Sequence, residues 1–321
     1  MTNQVRESAI IPDEALGLRF DQALAIMFPE YSRSQLKKWI QSGSIQLEGE
    51  VVTKPREKVI PGMSVAIEAE LEIVEEPVAQ PIDLNIVYED DDVIVIDKPA
   101  GLVVHPGAGN TDGTLLNALL HHCAELEALP RSGIVHRLDK ETSGLMVVAK
   151  NANAYTSLTE DLKAREVVRE YEAVVMGVMT AGGTVSAPIG RHPTKRTHMA
   201  VVPTGKEATT HYRVIERFRA HTHLRLRLES GRTHQIRVHM AHIKHGLVGD
   251  PQYGGRPRPL AKSSDELAAL LRRFPRQALH AVHLSFVHPE TYESMSFSSP
   301  LPDDVITLIK TLREDREENL A

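Results

Sequence analysis

A polar turn enclosed by two apolar runs, GIVHRLDKETSGLMVVA at residues 133–149, constrains the fold of this chain most tightly. The apolar run after the glycine predicts a buried strand over residues 145–149. Asp139 therefore lies on a tight loop against a core, where a carboxylate is a candidate nucleophile. Most loop aspartates instead cap a turn or pair at the surface with a neighbour such as Lys140. From this segment alone, the second interpretation is favoured.

The chain's 321 residues suffice for one large core and a small appended domain, since domains commonly span roughly 100–200 residues. The single cysteine, Cys123, excludes an internal disulfide framework and a multi-cysteine zinc site. The first residues lack the apolar segment of a signal peptide, and no apolar run approaches the ~18 residues of a membrane span. A soluble, cytoplasmic protein that does not bind membranes is expected.

Charge is distributed unevenly, although the formal net charge is −6. Residues 189–258 carry 14 Lys and Arg against 4 Asp and Glu, and residues 31–59 carry six against three. Residues 66–97 carry eleven acidic residues and no Lys or Arg. Basic residues supply most of the affinity for a phosphate backbone, so two basic surfaces joined by an acidic connector suit an RNA-binding protein. Taken alone, either surface is more commonly a solvated face.

The N-terminal part is predicted to be a small domain of two helices and a hairpin. Residues 1–17 are expected to form a flexible arm, followed by a helix over residues 19–28. Ser32 and Gln35 form the capping box of a second helix that ends near Gly43. On that helix Arg33 and Lys37, four residues apart, share one face. The small domain is placed at residues 18–75.

A larger domain is predicted after an acidic, proline-containing linker at residues 76–82. Residues 86–88 and 93–96 flank the turn EDDD and predict a hairpin. Strands are predicted near residues 168–176, 211–218 and 224–229, and helices over 151–164, 233–245 and from residue 303. Residues 83–321 are therefore assigned to one mixed α+β domain.

Two groups of residues have the composition of a metal site. The four carboxylates at residues 89–92 are ordinary for a turn between strands, and no second ligand cluster is evident. His239, His242 and His245 recur at three-residue steps, but no nearby carboxylate or cysteine completes a site. Contacts with phosphate or other polar groups are favoured for these histidines, and no metal or cofactor is expected.

The segment around Asp139 resembles the catalytic motif HRLDxxTSG of the RNA pseudouridine synthases of the large-subunit ribosomal type. Two blocks fit that family in the same order, KPAGLVVHPG at residues 98–107 and GRTHQIRVH at residues 231–239. RHPTKR at residues 191–196 and GDPQYG at residues 249–254 extend the similarity. The N-terminal part resembles the S4 RNA-binding domain. The resemblance implies an α+β pseudouridine synthase fold, with a mixed, mainly antiparallel sheet and a central cleft, preceded by an S4-like domain.

The resemblance also implies a catalytic set of three residues. Asp139 is expected to be the nucleophile, and attack at C6 of the base or at C1′ of the sugar is left open. A buried carboxylate tends to take up a proton, so an adjacent cation is required to keep it charged. This role is assigned to Arg232. Tyr171 matches the family tyrosine that stacks on the base. A role in removing the C5 proton is left open, because a phenol with an ordinary pKa of about 10 is a weak base unless that pKa is lowered.

Six further residues are expected to bind RNA. Arg137 matches the family position whose side chain replaces the flipped uridine and offsets an unstacking cost on the order of a few kcal/mol. Its neighbour His136 and the apolar Ile236 are included in this group. The S4-like helix supplies Arg33, Lys37 and Lys38. Arg169 stands where relatives often have lysine.

The expected activity is isomerisation of specific uridines in large-subunit (23S) ribosomal RNA, in the stem-loop near the decoding centre. The substrate is expected to be the rRNA or a pre-ribosomal large-subunit particle, and the enzyme a monomer. The alternative is a non-catalytic RNA-binding ribosome-assembly factor, which would not need the set of Asp139, Arg232 and Tyr171. A hydrolase that uses Asp139 and Glu141 as paired carboxylates has no other support.

Overall fold

The computed structural model describes residues 2–72, 77–107, 109–195, 197–255 and 261–319. The chain divides into two compact units, Met1–Glu76 and Pro77–Ala321. Each unit has its own hydrophobic core and is described separately.

The first unit packs helices against a four-stranded sheet with the strand order β1-β4-β2-β3. A 3₁₀ turn, Asp13–Ala15, links the first strand to the first helix. The elements in chain order are β1 (Thr2–Ile10), α1 (Phe20–Met27), α2 (Arg33–Gln41), β2 (Ile45–Leu47), β3 (Glu50–Val51) and β4 (Ser64–Glu72).

The N-terminal residues form a strand, so the predicted flexible arm at residues 1–17 is wrong. β1 pairs antiparallel with β4 along its whole length, from Thr2 opposite Glu72 to Ile10 opposite Ser64. The strand completes the sheet, and Ile11 after it is buried in the core of the unit. Polar residues dominate the segment, so its hydrophobic alternation is too weak to indicate a strand from the sequence alone.

The second helix, α2, follows the predicted pattern. Ser32 Oγ accepts a hydrogen bond from the Gln35 N–H and caps the N-terminus. Leu36, Trp39 and Ile40 face the core at helical spacing, and burial of a Leu or Ile side chain contributes about 1.5–3 kcal/mol. The basic residues of the helix are exposed: Arg33, Lys37 and Lys38.

The second unit is built on a nine-stranded sheet with the order β5-β6-β7-β14-β8-β13-β12-β9, in which β15 also pairs with β14. The strands are β5 (Ile86–Glu89), β6 (Val93–Lys98), β7 (Ser143–Ala149), β8 (Val168–Met176), β9 (Gly183–Ser186), β10 (Ile189–Arg191), β11 (Met199–Val201), β12 (Thr209–Arg217), β13 (His221–Leu228), β14 (Leu279–Val287) and β15 (Ser294–Ser298). The helices are α3 (Leu115–His122), α4 (Ala152–Ala164), α5 (Gln235–His242), α6 (Asp265–Arg273) and α7 (Asp303–Glu318). Two 3₁₀ segments, Ala124–Ala128 and Pro130–Gly133, follow α3.

Pairing in this sheet is mainly antiparallel. β7 and β14 run parallel, with His280 opposite Ser143 and Ala281 opposite Gly144. The predicted hairpin is present, since β5 and β6 pair antiparallel around the acidic turn. β10 and β11 form a separate two-stranded ribbon.

Helices cover both faces of β6 and β7, which explains why these strands are almost continuously apolar. Ile94, Ile96, Met146 and Val148 share one core cluster with residues of α3. The alternate residues of the same strands share another cluster with Ala154 and Leu158 of α4. All seven residues of β7 are buried, so the loop that precedes it is anchored at its C-terminal end.

β7 and β14 lie in close contact at Gly144. Its φ is +117°, and a Cβ there would lie 2.3 Å from the carbonyl oxygen of Ala281. Only glycine fits this contact without a shift of the backbone. Gly144, which ends the polar turn, therefore allows the strand that follows the Asp139 loop to pack directly against β14.

Two predictions about organisation are not settled by these elements. Residue 76, the first residue of the predicted linker at residues 76–82, lies outside the described residues. Within the remainder, the Gln80 N–H donates to the Asn117 carbonyl of α3. The finer boundaries at residues 18–75 and 83–321 also stay predictions. Among the described residues, no helix has the length and apolar character needed to cross a bilayer.

Candidate active site

The Asp139 loop is held at three successive residues by groups from distant parts of the chain. The Lys140 carbonyl accepts hydrogen bonds from the Gly101 N–H and from Lys98 Nζ, at 2.9 and 3.1 Å. The Glu141 carbonyl accepts from Arg276 Nη1 at 3.1 Å. Thr142 Oγ1 accepts from Gln277 Nε2 at 3.1 Å. These contacts fix the backbone on one side of Asp139, and the buried Leu138 anchors the other.

Lys98 is a fully buried cation that works through its hydrogen bonds. Its Nζ donates to the carbonyls of Pro99, Leu102 and Lys140, at 2.7, 2.9 and 3.1 Å. Burial lowers the pKa of Lys98 to about 8, and the nearby carboxylate of Glu141 opposes part of that shift. The ammonium therefore ties the KPAG block to the Asp139 loop, a role that the sequence motif did not specify.

Arg276 forms a second cationic tie to the loop. Its Nε and Nη2 bind both carboxylate oxygens of Asp304, at the start of α7, at 2.7 and 2.8 Å. Its Nη1 donates to the Glu141 carbonyl and, more weakly, to the carbonyls of Gln277 and Leu279. One buried guanidinium thereby connects the loop, the start of β14 and the last helix.

The cation that contacts Asp139 is Arg237. Its Nη1 lies 2.9 Å from Asp139 Oδ2, while Nε and Nη2 bind the buried Asp250 at 2.7 and 2.9 Å. Nη2 also donates to Gln252 Oε1 at 3.1 Å, and the guanidinium lies over the Tyr253 ring. Burial acts to lower the pKa of Arg237, but its hydrogen bonds and ion pairs with the two aspartates outweigh burial and raise it.

Asp250 orients this arginine. Burial acts to raise the pKa of Asp250, but the Arg237 guanidinium and the backbone N–H groups of Gln252 and Tyr253 together lower it. Asp250 therefore stays ionised and holds the guanidinium in a two-pronged ion pair. The third nitrogen of the fork is left to face Asp139.

The assignment of Arg232 as the partner of Asp139 is corrected by this geometry. Arg232 is exposed, and its Nε donates to the Glu207 carbonyl at 3.1 Å. It lines the same cavity as Asp139, yet it lies just before α5, whereas Arg237 lies within the helix and points inward. A sequence signal was available, since an arginine between Ile236 and Val238 on a buried helix requires a carboxylate partner.

Three other residues surround Asp139 in the cavity. Tyr171, on β8, and Ile236, on α5, are buried in its wall. Burial raises the pKa of Tyr171, the charge of Asp139 adds to the shift, and Arg169 opposes it. His234 Nε2 lies 3.8 Å from Asp139 Oδ1. Sequence reasoning did not identify His234, which burial keeps neutral by lowering its pKa.

The remaining predicted residues occupy three kinds of position. Arg137 is exposed at the mouth of the cavity. His136 Nε2 accepts a hydrogen bond from the Val147 N–H at 3.1 Å, and burial lowers its pKa to about 3. Arg33, Lys37 and Lys38 belong to the first unit, which is described separately from the unit that contains this cavity.

The candidate metal ligands have other partners. Asp90, Asp92 and His288 lie close enough to share an ion. However, His288 Nδ1 accepts hydrogen bonds from two backbone N–H groups, so its Nε2 carries the proton and donates to Asp90 at 2.9 Å. His239 is fully buried and bonded to Thr210 and to a backbone carbonyl, so it does not lie at an RNA-facing edge.

Comparisons with known proteins agree with this architecture. The RNA pseudouridylate synthase family matches residues 92–242, and the S4 domain family matches residues 18–65. The ribosomal large subunit pseudouridine synthase D of Yersinia pestis is 59% identical over 318 residues, with 99% of this chain and 98% of the relative covered. The protein of the same name from Escherichia coli K12 is 58% identical over 319 residues, with the same coverage.

Solved structures with the same fold include two human proteins. Human RNA pseudouridylate synthase domain containing 4 aligns with a TM-score of 0.56 and 26% identity, covering 71% of this chain and 93% of that chain. Human RNA pseudouridylate synthase domain containing 1 aligns with a TM-score of 0.53 and 27% identity, covering 74% and 97%. The predicted fold class, an S4 domain followed by a mainly antiparallel α+β synthase fold, is confirmed.

The two arginines of the GRTHQIR block are expected to respond differently to substitution. Arg237→Gln leaves the buried Asp250 and the partly exposed Asp139 without their cation, so it should lower the free energy of unfolding by about 3–5 kcal/mol. It should also slow single-turnover catalysis on RNA about 10²-fold or more. Arg232→Gln, the matched control, should change unfolding by no more than about 0.5 kcal/mol. Denaturant titration and rapid-quench kinetics provide both measurements, and equal effects of the two variants would refute the corrected pairing.

Lys98 predicts a pH dependence of stability. Its folded pKa of about 8 lies below the unfolded value of about 10.4, so between these values the unfolded state binds the extra proton. Stability contributed by this group therefore rises with pH across the window. The unfolding free energy of wild type relative to Lys98→Met should increase by up to about 3 kcal/mol from pH 7 to pH 11. If this difference in unfolding free energy does not change with pH, the pKa of Lys98 is not lowered in the folded state.

Proposed function

We propose that this chain, which belongs to the large-subunit ribosomal family of RNA pseudouridine synthases, isomerises uridines of large-subunit ribosomal RNA with Asp139 as its nucleophile. The contact of Asp139 with Arg237, in a cavity walled by Tyr171 and Ile236, is the observation that carries the proposal. The chain is thus an enzyme rather than a non-catalytic assembly factor or a paired-carboxylate hydrolase.

The reaction exchanges one carbon–nitrogen bond for one carbon–carbon bond. The N1–C1′ bond breaks, the base turns, and C5 bonds to C1′. The C5 proton leaves and N1 gains one, so no oxidant, reductant or cofactor is needed. Asp139 is proposed to form a transient covalent bond with the substrate, at C6 of the base or at C1′ of the sugar. Its ion pair with Arg237 places a cation beside the attacking carboxylate.

The cavity walls favour a flat, uncharged base. Tyr171 and Ile236 present an aromatic and an aliphatic surface to the space beside Asp139. Because burial raises the pKa of Tyr171, its phenol stays protonated at neutral pH. We therefore assign Tyr171 to stacking and hydrogen-bond donation rather than to removal of the C5 proton.

The mouth of the cavity carries cations suited to RNA. Arg137 is exposed there and is proposed to take the place of the extruded uridine, where a planar guanidinium can stack and donate hydrogen bonds. His136 is proposed to contact the RNA through its Nδ1, which has no partner among the described residues. Arg232, which is exposed and lines the same cavity, is proposed to contact an RNA phosphate.

The finer identity of the substrate remains part of the proposal. The target is taken to be the stem-loop near the decoding centre, within rRNA or a pre-ribosomal particle, and the enzyme is taken to act as a monomer in the cytoplasm. The names of the relatives support the large-subunit assignment, and the S4 match supports RNA binding by the first unit.

Release of the C5 hydrogen tests the activity directly. Large-subunit rRNA labelled with tritium at C5 of uridine should lose label to water when incubated with wild type and should lose none with Asp139→Asn. Glu141→Gln, two residues away on the same loop, is the matched control and should release tritium at the wild-type rate. Release by Asp139→Asn would remove Asp139 from the mechanism, and no release by wild type would refute the proposed substrate.

The first unit is proposed to bind the RNA backbone through α2. Arg33 and Lys37 are exposed on this helix, so Arg33→Ala and Lys37→Ala should each weaken RNA binding and reduce the slope of log K against log salt by about 1. The turnover rate at saturating RNA should not change. Gln41→Ala, exposed at the end of the same helix, should leave the slope unaltered. Equal slopes for all variants would argue against this interface.

A further inference from the structure

A second cavity adjoins the Asp139 cavity in the catalytic unit. Its volume is about 640 Å³, within the range of roughly 300–1,000 Å³ typical of small-ligand pockets. The two cavities share Arg137, Arg169 and Gly231. Arg131 and His105 also line the second cavity, and the described residues around it include no carboxylate. We call it the side cavity.

Arg169 is the most informative residue of the side cavity. It is only 6% exposed, yet no hydrogen bond or ion pair satisfies its Nε within the part of the chain that the structure describes. By contrast, the buried Arg237 and Arg276 are paired with Asp250 and Asp304. A buried guanidinium without an acceptor is costly. Its position therefore indicates that a ligand supplies the acceptor.

The absence of a side chain at Gly231 leaves space beside the Arg169 guanidinium. A Cβ at Gly231 would lie 3.0 Å from Arg169 Nη1, so a larger residue would press on the guanidinium. Because both residues line both cavities, the guanidinium forms the partition between them. A ligand that enters either cavity meets the same cation.

His136 supplies a second unsatisfied donor to the side cavity. Its Nε2 accepts from the Val147 N–H, so in the neutral ring Nδ1 carries the proton. This Nδ1 is buried without a partner among the described residues. His105 is also neutral near pH 7, since burial lowers its pKa to about 4, with Arg137 and Arg131 adding to the effect. Both histidines therefore offer hydrogen bonds without adding charge.

We propose that the side cavity binds the nucleotide next to the reacting uridine, with its phosphodiester held by Arg169, Arg131 and His136. The proposal rests on the proposed function, since it assumes that the uridine occupies the Asp139 cavity. Guanidinium groups without competing carboxylates suit a phosphodiester. Leu116, Ile134 and Leu162 provide an apolar wall for the sugar or base. The phosphodiester that links this nucleotide to the uridine would lie at Arg169, between the two cavities. Its contact with Arg169 would set the position of the uridine relative to Asp139.

A neutral linkage in the RNA tests this subsite. The substrate is a fragment of large-subunit rRNA that contains a single target uridine. The linkage on the 5′ or the 3′ side of this uridine is replaced by a methylphosphonate next to a 2′-deoxy sugar. The same RNA with the natural charged linkage and the same sugar is the control. Wild type should bind one of the two neutral RNAs about tenfold more weakly, the loss expected for one charge-assisted contact.

Protein variants combined with the neutral RNA form a double-mutant cycle. Arg131→Ala and Arg169→Met should bind the charged RNA about tenfold more weakly and should show little further loss with the neutral RNA. Arg169→Met should keep or raise the thermal midpoint, because it removes an unpaired buried charge. Lys163→Ala, on the nearby helix α4, is the control for loss of a basic residue and should lose the same tenfold on neutralisation as wild type.

Three results would overturn the subsite. In the first, the loss of affinity caused by the neutral linkage is as large in Arg131→Ala and Arg169→Met as in wild type, so that the two losses multiply. In the second, wild type binds both neutral RNAs as tightly as their charged controls. The third is a sharp fall in the thermal midpoint of Arg169→Met, which would make Arg169 a structural residue. Failure of the proposed function is a separate result, because wild type would then convert no uridine in the charged RNA even though the binding cycle could still be measured.

Discussion

The catalytic unit depends on one buried arginine that is shared between two carboxylates. Arg237 is fixed by Asp250 through two nitrogens and presents a third to Asp139. Removing charges from water is expensive, and the cost is recovered only when the partners are well placed and hydrogen-bonded. Asp250 meets that condition through backbone N–H groups as well as the arginine. The nucleophile therefore has a fixed cation beside it in a pocket that otherwise suits an uncharged base.

The loop that carries Asp139 is equally constrained, although by a different principle. Lys98 and Arg276 are buried cations whose hydrogen bonds end on loop carbonyls, so each fixes backbone rather than another side chain. They come from residues far apart in sequence, and Arg276 also carries the ion pair to Asp304 on the last helix. Substitutions in α7 can thus alter the catalytic loop without contact with the substrate.

Much of this architecture could be predicted from the sequence where the pattern was local. The hairpin of β5 and β6, the buried strand β7 and the helix α2 follow directly from runs of apolar residues and a capping serine. The prediction failed for residues 1–17, whose strand depends on pairing with β4, 54–70 positions away in the chain. Polar strand sequences of this kind carry little signal until the partner strand is known.

The choice between Arg232 and Arg237 shows a similar limit within the site. Both arginines stand in one nine-residue block, and only the start of α5 at Gln235 separates the exposed one from the buried one. The left-handed backbone at His234, with φ of 56°, sets that start, and a non-glycine residue in this conformation is hard to foresee. The apolar neighbours of Arg237, Ile236 and Val238, were visible in the sequence, but its partner Asp250 was identified only through the fold.

The most direct test of the shared arginine uses Asp250, which does not contact the Asp139 carboxylate in the described structure. Single-turnover conversion and RNA affinity should be measured for Asp250→Asn and wild type at saturating RNA. The account predicts that Asp250→Asn slows conversion at least about tenfold while RNA affinity is unchanged, because Arg237 loses the partner that holds it against Asp139. Conversion at the wild-type rate by a correctly folded Asp250→Asn protein would contradict the account.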